Sequence, residues 1–111
     1  KGTFYEIDKD GNKSTRIVGD NYEVVAGSDF VNIKGSANLT IDSNCNTYIK
    51  GNWNIQVDGT KTEVVTGAVS ETYKSTKTES VTGAVQETFS STQTTNVSSN
   101  VTITGSRIDL N

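Results

Sequence analysis

The sequence predicts an all-β protein, namely an intertwined triple-stranded β-helix in which a homotrimer forms a three-sided prism. Three observations support this fold class. The chain has 111 residues of which only 32% are hydrophobic, with a mean hydropathy of -0.49, so one copy has little material for a core. Gly, Ser, Thr and Asn separate isolated Val and Ile residues, which is typical of β-structure. A Gly or Ser recurs at every eighth position.

The first predicted element is a hairpin or linker over residues 1–18. Asp10-Gly11-Asn12 is a strong turn signal, and residues 3–7 and 13–18 flank it as candidate strands. The N-terminus lacks the basic and then apolar pattern of a secretory signal. We expect this hairpin to lead in from an upstream domain that the sequence does not include.

The second element is an octapeptide-repeat β-helix shaft over residues 19–104. A β-branched or aromatic residue stands two places before each repeated Gly or Ser, from Ile17 to Val97. A period of eight fits a strand of about six residues closed by a corner, where the missing Cβ of Gly permits the bend. Side chains two and four places earlier share the face of that residue and are candidate interior positions. The predicted core is Ile41, Ile49, Trp53, Ile55, Val57, Val65, Val81, Phe89 and Val97.

Residues 62–76 and 78–92 are near copies of each other, offset by two whole octads. Such copying preserves the register, as a modular solenoid requires. The prism could come from one chain that circles every three octads or from three chains wound together, and the repeat alone does not decide. Uncapped strand edges and the thin interior favour three chains. Eleven octads at about 4.8 Å per layer would give a shaft of roughly 50 Å.

Charged residues fall on the predicted inner face of the second half. Three interpretations stay open: a wet, ion-paired axial channel, which we favour; a locally wider or out-of-register stretch whose charges reach solvent; and a specific bound cation. We expect no dedicated cofactor, although adventitious ions or anions along the trimer axis are compatible with the pattern. The channel candidates are Lys61, Glu63, Glu71, Lys77, Glu79 and Glu87.

The composition argues against several functions. The chain has no His, and Cys45 therefore lacks a base to activate it, so we predict a small buried hydrophobe there and no catalytic or metal site. Trp53 is expected in the core, the alternative being an exposed recognition aromatic. The net charge is -3 with Lys and Glu interspersed, which disfavours nucleic acid. No apolar run is long enough to span a bilayer.

The third element is a C-terminal tip over residues 105–111. Ile108 and Leu110 suggest a hydrophobic plug or a platform for a cap protein, the alternative being a frayed tail. The candidate contact residues are Ser106, Arg107, Ile108, Asp109, Leu110 and Asn111. Residues 88–106 before and into this tip carry no charged side chain. This is either a neutral solvated surface or an end that passes lipid at lower desolvation cost.

The octad, the ending Thr102-Ile103-Thr104-Gly105-Ser106-Arg107-Ile108-Asp109-Leu110-Asn111 and the segment Gly2-Thr3-Phe4-Tyr5-Glu6 carry a family resemblance. The chain resembles the C-terminal β-helical needle of the central spike (baseplate hub, tail-associated lysozyme) protein of T-even-type contractile-tail phages, and the related spike proteins of type VI secretion. The resemblance implies a homotrimeric needle in the virion tail baseplate that pierces the host outer membrane on sheath contraction.

The same resemblance implies upstream hub and tail-tube proteins as partners, with a lysozyme domain upstream in some members and none in this chain. Some short spikes end in a His-containing iron site, which a chain without His departs from, so a PAAR-type tip protein at the C-terminus is expected instead.

The main rival function is a trimeric β-helical segment of a receptor-binding tail fibre or adhesin, which would share the Thr-rich surface. A calcium-binding roll is disfavoured because its repeat has nine residues and paired Asp. An ice-binding solenoid is disfavoured because the Thr positions change faces.

Overall fold

A computed structural model describes residues 2–111 as two units, the first ending at Gln56 and the second covering Val57–Asn111. Within this described range there is no helix. Two strands form, β1 (Phe4–Ile7) and β2 (Lys13–Arg16), and they pair as a small antiparallel sheet. No helix among these residues is long and apolar enough to cross a membrane. The architecture is non-helical and compatible with the predicted all-β class.

The hairpin β1–β2 belongs to the first unit and contains the predicted turn. Phe4 pairs with Arg16 at one end of the ladder and Ile7 pairs with Lys13 next to the turn. Gly11 has a φ of 84°, a left-handed conformation that favours glycine, and its N–H donates to the carbonyl oxygen of Asp8 at 3.1 Å. The turn signal in the sequence therefore has the local structure that its residue types predict.

Two side-chain contacts support the hairpin, one over its ladder and one at its open end. Lys13 Nζ lies 5.1 Å from the centroid of the Tyr5 ring, a diagonal contact on one face of the sheet. At the open end, Val18 N–H donates to Thr3 Oγ1 at 3.1 Å. Because an isolated two-stranded hairpin is marginally stable in water, these local contacts matter for its persistence.

After the hairpin, the backbone bends sharply at every eighth residue. The bends occupy residue pairs that end on the repeated Gly or Ser, from residues 18–19 to residues 98–99, and a further bend falls at Ser106. Both units share this period, and the bends fall at the corner positions that the octad predicts. The segments between bends form no strand within one chain.

In one chain the corner glycines use no conformation that is special to glycine. None of the shaft glycines has a positive φ, and a Cβ built on Gly67 or on its equivalents from Gly19 to Gly83 would meet no atom within 4 Å. The bend of a single chain therefore does not require a missing Cβ. This explains why Ser43, Ser75, Ser91 and Ser99 occupy the same corner with the same bend.

The exposure of the apolar side chains follows the octad although none is buried in residues 2–111. The residues two places before each corner, from Ile17 to Val97, are 38–57% exposed. Large side chains three or five places before a corner, such as Val24 and Tyr48, are 84–93% exposed. The bend thus partly encloses the β-branched or aromatic residue two places before it, whereas inner-face residues farther from the corner, such as Leu39 at 84%, stay exposed.

Candidate functional site

Four side chains on the predicted inner face connect across the bend at Ser75. Tyr73 Oη donates to Glu71 Oε2 at 2.7 Å, and Lys77 Nζ lies 5.2 Å from the centroid of the Tyr73 ring. The same ammonium contacts Glu79 Oε1 at 3.1 Å. We call Glu71, Tyr73, Lys77 and Glu79 the inner polar chain. It links two octads between which no backbone hydrogen bond forms.

The inner polar chain shifts the protonation of its two central members. The hydrogen bond to Glu71, and then the carboxylate's negative charge, raise the pKa of the Tyr73 hydroxyl. The hydrogen bond to Glu79, and then that carboxylate's charge, raise the pKa of Lys77. Both shifts favour the protonated donor. Tyr73 therefore remains a phenol and Lys77 an ammonium at neutral pH.

The neighbouring octads repeat only parts of the inner polar chain. Lys61 Nζ lies 3.6 Å from Glu63 Oε2, so this pair repeats the Lys77–Glu79 arrangement two octads earlier. Glu87 occupies the position equivalent to Glu71, but its neighbours are Phe89 and Gln93, which supply neither a phenol nor an ammonium. The structure brings five of the six predicted channel residues into pairs or into the inner polar chain and leaves Glu87 outside them.

Exposure determines what these contacts do within one chain. The Lys61 and Glu63 side chains are each 69% exposed, and Lys77 and Glu79 are 47% and 73% exposed. Ion pairs at such accessible positions contribute little stability by themselves. The contacts orient the charges toward one another, and the predicted ion-paired axial channel stays a prediction.

Tyr73 is the member of this site that sequence reasoning missed. The octad assigned it to the apolar position before a corner, like Val65 and Val81. The available signal was a phenol two residues after Glu71, since residues i and i+2 share one face of an extended segment. The equivalent Phe89 follows Glu87 with the same spacing but without a hydroxyl.

The predicted core residues lie on the inner face but touch no buried environment in one chain. Ile49 is among the more enclosed, whereas Trp53 is 70% exposed. Cys45 is an exposed free thiol whose Sγ lies 3.9 Å from Thr47 Oγ1. The burial predicted for Trp53 and Cys45 depends on further copies of the chain and stays a prediction.

In the C-terminal tip, Arg107 and Asp109 form a pair. Arg107 Nε donates to Asp109 Oδ1 at 3.0 Å, and both side chains are mostly exposed. Ile108 is half-exposed, and Leu110 is almost fully exposed. The two apolar side chains are therefore accessible to a partner, although the predicted cap contact remains untested.

Residues 2–111 contain no group of three or more His, Cys, Asp or Glu side chains arranged to hold a metal ion. The same residues line no pocket. In this part of the chain the candidate site consists of exposed polar side chains that recur with the octad.

Comparison with known proteins gives one partial similarity. The chain is 43% identical over 47 residues to a protein named Protein Gp5 from Vibrio phage KVP40. The match covers 42% of this chain and 11% of the length of that protein. No protein-family profile matches the chain, and no solved structure matches it. The chain is thus similar in part to a phage protein.

Proposed function

We propose that this chain is a structural segment of a phage tail spike, assembled from three copies as an intertwined β-helix that acts as a mechanical needle. One observation carries the proposal: the backbone bends every eight residues and each bend encloses one apolar side chain, yet no side chain is buried in a single copy. The partial similarity to a phage protein supports the viral setting.

The backbone gives a second reason for assembly. Residues 19–54 and 60–111 make no backbone–backbone hydrogen bond among themselves. Unpaired N–H and C=O groups are costly once buried, so the inner face needs strands from outside the chain before it can enclose a core. Winding three identical chains together supplies a neighbouring strand at each octad and makes all three faces of the prism equivalent.

The needle would belong to the baseplate of the virion, where sheath contraction drives it through the host outer membrane. Hub and tail-tube proteins would join it on its N-terminal side, and a PAAR-type protein would bind residues 106–111. Contact with the host membrane would be transient. We propose no catalytic role, no resident cofactor and no nucleic-acid ligand for this segment.

Mass by light scattering in buffer and in strong denaturant tests the assembly. We expect three times the chain mass of 11.9 kDa in buffer, with resistance to denaturant, because each core layer is shared by three chains. The fluorescence maximum of Trp53 should then lie to the blue of its value in the unfolded chain. A chain that stays at 11.9 kDa in buffer would overturn the proposal.

Two adjacent residues provide a matched pair of variants. Ile49→Asp places a carboxylate at an enclosed inner position, and we expect it to abolish the trimer. Tyr48→Asp adds the same charge on the outer face, where Tyr48 is 84% exposed, and should leave the mass unchanged. Equal effects of both variants would contradict the assignment of faces.

A further inference from the structure

The middle of the shaft carries its charges at a single octad position. Residues 30–60 contain four charged side chains, and each stands eight residues after the one before it. Their signs alternate along the chain in the order Lys34, Asp42, Lys50 and Asp58. All four are exposed, and each is the first residue of a bend. A solvated surface needs charge but neither this spacing nor this alternation, so the pattern indicates a partner with the same period.

A single copy does not bring these charges together. A strand of about six residues separates consecutive corners, which places them roughly 20 Å apart at about 3.3 Å per residue. Charges at that distance are screened from each other, because the Debye length is about 8 Å at physiological salt. Within residues 2–111, Lys34, Asp42 and Lys50 take part in no ion pair. The alternation of sign therefore has no effect inside one chain.

Three copies that start at the same level do bring the charges together. Each chain turns by one face per octad, so the next strand on the same face belongs to another copy and lies one octad further along. Each corner then stacks, in successive layers from the three copies in turn, Lys34, Asp42, Lys50 and Asp58. Neighbouring layers are about 4.8 Å apart, so each ammonium is within ion-pairing distance of a carboxylate.

A prism made from one chain would stack different residues. Such a chain returns to the same face after three octads, so Lys50 would lie beside Lys74 and Asp42 beside the uncharged Thr66. Of the four charges, only Lys34 and Asp58 would then be neighbours of opposite sign. Three chains pair opposite charges at all three steps. The order of signs favours three chains, and this reason is independent of burial.

We propose that Lys34, Asp42, Lys50 and Asp58 form an ion ladder between copies along each corner of the trimer. The inference rests on the proposed function. Asp42 and Lys50 each lie between opposite charges of the two other copies. A single exposed ion pair contributes little, whereas adjacent pairs that share their charges form a network. The ladder joins the chains on the outside of the section from Ala37 to Val57, whose predicted interior is apolar.

Two variants of equal composition test the ladder by thermal unfolding. Asp42→Lys with Lys50→Asp, the block variant, places like charges together at two of the three steps. Adding Lys34→Asp and Asp58→Lys gives the inverted variant, which restores alternation with every sign reversed. In low salt we expect the block trimer to melt several degrees below the parent and the inverted trimer to recover most of that loss. In about 1 M salt, where the Debye length is about 3 Å, the difference should shrink severalfold.

The inverted variant is the matched control, because it contains both substitutions of the block variant and has the same net charge. Equal melting temperatures of the block and inverted trimers in low salt would overturn the ladder and leave the trimer intact. If the block variant does not assemble in low salt, assembly of the inverted variant supports the ladder and its failure overturns it. A parent of 11.9 kDa in buffer would instead overturn the proposed function.

Carbodiimide cross-linking locates the contacts directly. The reagent condenses a carboxylate with an adjacent ammonium to form an amide. In trimers refolded from a mixture of unlabelled and isotope-labelled chains, we expect peptides that join Lys34 to Asp42 and Lys50 to Asp58. Mass spectrometry should show both isotopes within single cross-linked peptides. Cross-links at these positions that never combine the two isotopes would overturn a ladder between copies.

Discussion

At the scale of single residues, Asp8 organises the N-terminal turn. Its Oδ1 accepts hydrogen bonds from the N–H groups of Asp10 and Asn12, both at 2.9 Å, and its Oδ2 accepts one from Asn12 Nδ2 at 3.1 Å. The bonds from Asn12 lower the pKa of the Asp8 carboxyl below its usual value of 3.8. The charged form of Asp8 therefore stabilises the turn.

This linkage predicts a pH-dependent hairpin. Because the folded pKa is lowered, the contribution of Asp8 is fully present above its unfolded pKa and is lost as the pH falls through the folded value. The amide resonances of Asp10 and Asn12 should move toward unstructured positions in acid. Asp8→Asn should give a weaker turn at neutral pH, with less change on acidification.

Asp10→Asn is the control for this prediction, since the Asp10 backbone donates to Asp8 while its own carboxylate accepts none of these bonds. It should retain the pH dependence of the parent. Turn resonances that stay constant from about pH 6 to about pH 2, a range that spans ordinary carboxyl titration, would contradict the role of Asp8.

The same turn illustrates what residue types can predict. Asp10-Gly11-Asn12 predicted a tight turn because Gly adopts the left-handed conformation that Gly11 shows. The hydrogen bonds to the Asp8 carboxylate were not predicted. The bond from the Asn12 N–H spans four residues, and it forms only because of the path that the backbone takes through the turn. Local backbone preference is visible in sequence, whereas a side chain's hydrogen-bond partners require the folded geometry.

At the scale of the octad, spacing proved more informative than composition. The positions of the bends and of the most enclosed side chains follow from counting in eights. The requirement for glycine stays a prediction for the assembled shaft, since in one chain the corner glycines adopt conformations open to Ser. The Tyr73–Lys77 contact was also missed, since it crosses a corner and depends on the direction of the bend.

Deletions test whether the octad is the structural unit. Removing residues 77–92 takes out two whole octads and keeps every later residue on its face, so we expect a shorter trimer with similar β-structure by circular dichroism. The Lys61–Glu63 pair and the Glu71–Tyr73 hydrogen bond remain in this variant.

Removing residues 77–91 is the matched control for the octad. It deletes one residue fewer and turns Val97 and all later inner residues outward, because side chains alternate between faces. Light scattering should then show loss of the trimer. Equal stability of the two deletions would contradict a unit of eight residues.

At the scale of the whole molecule, the proposed needle is sectioned along its length. The inner face is apolar around Ile49, polar around Lys77, and uncharged over residues 88–106. One chain specifies the order of these sections through its sequence. It does not specify which charged side chains of different copies lie next to one another. Those contacts depend on how the copies are aligned along the shaft as well as on which face each side chain occupies.

For the proposed piercing role, the uncharged section over residues 88–106 predicts a low cost of entering lipid. Thr94→Lys with Asn96→Lys adds charge on the outer face, and each charge must lose water in order to enter lipid. With the trimer attached to a force probe by its N-terminal end, the breakthrough force on a supported bilayer should rise, while the melting temperature should stay within a few degrees.

Thr94→Asn with Asn96→Thr is the control for this experiment, since it alters the same positions without adding charge. Its breakthrough force should match that of the parent. The desolvation argument would be contradicted if the Thr94→Lys, Asn96→Lys variant also had a much lower melting temperature, because loss of the trimer would then explain the change in force.

The lack of any buried side chain in one copy has a consequence for how this molecule is made. In the proposed trimer each chain gains a buried core only from its partners, so folding is third order in chain and stability depends on how often three chains meet. Any tether that holds three N-terminal ends together would raise the effective concentration of the chains. Association would then become an intramolecular step that proceeds from one octad to the next. Thr3–Val18, with its own turn and hydrogen bonds, can fold before that encounter and give each chain a defined starting point.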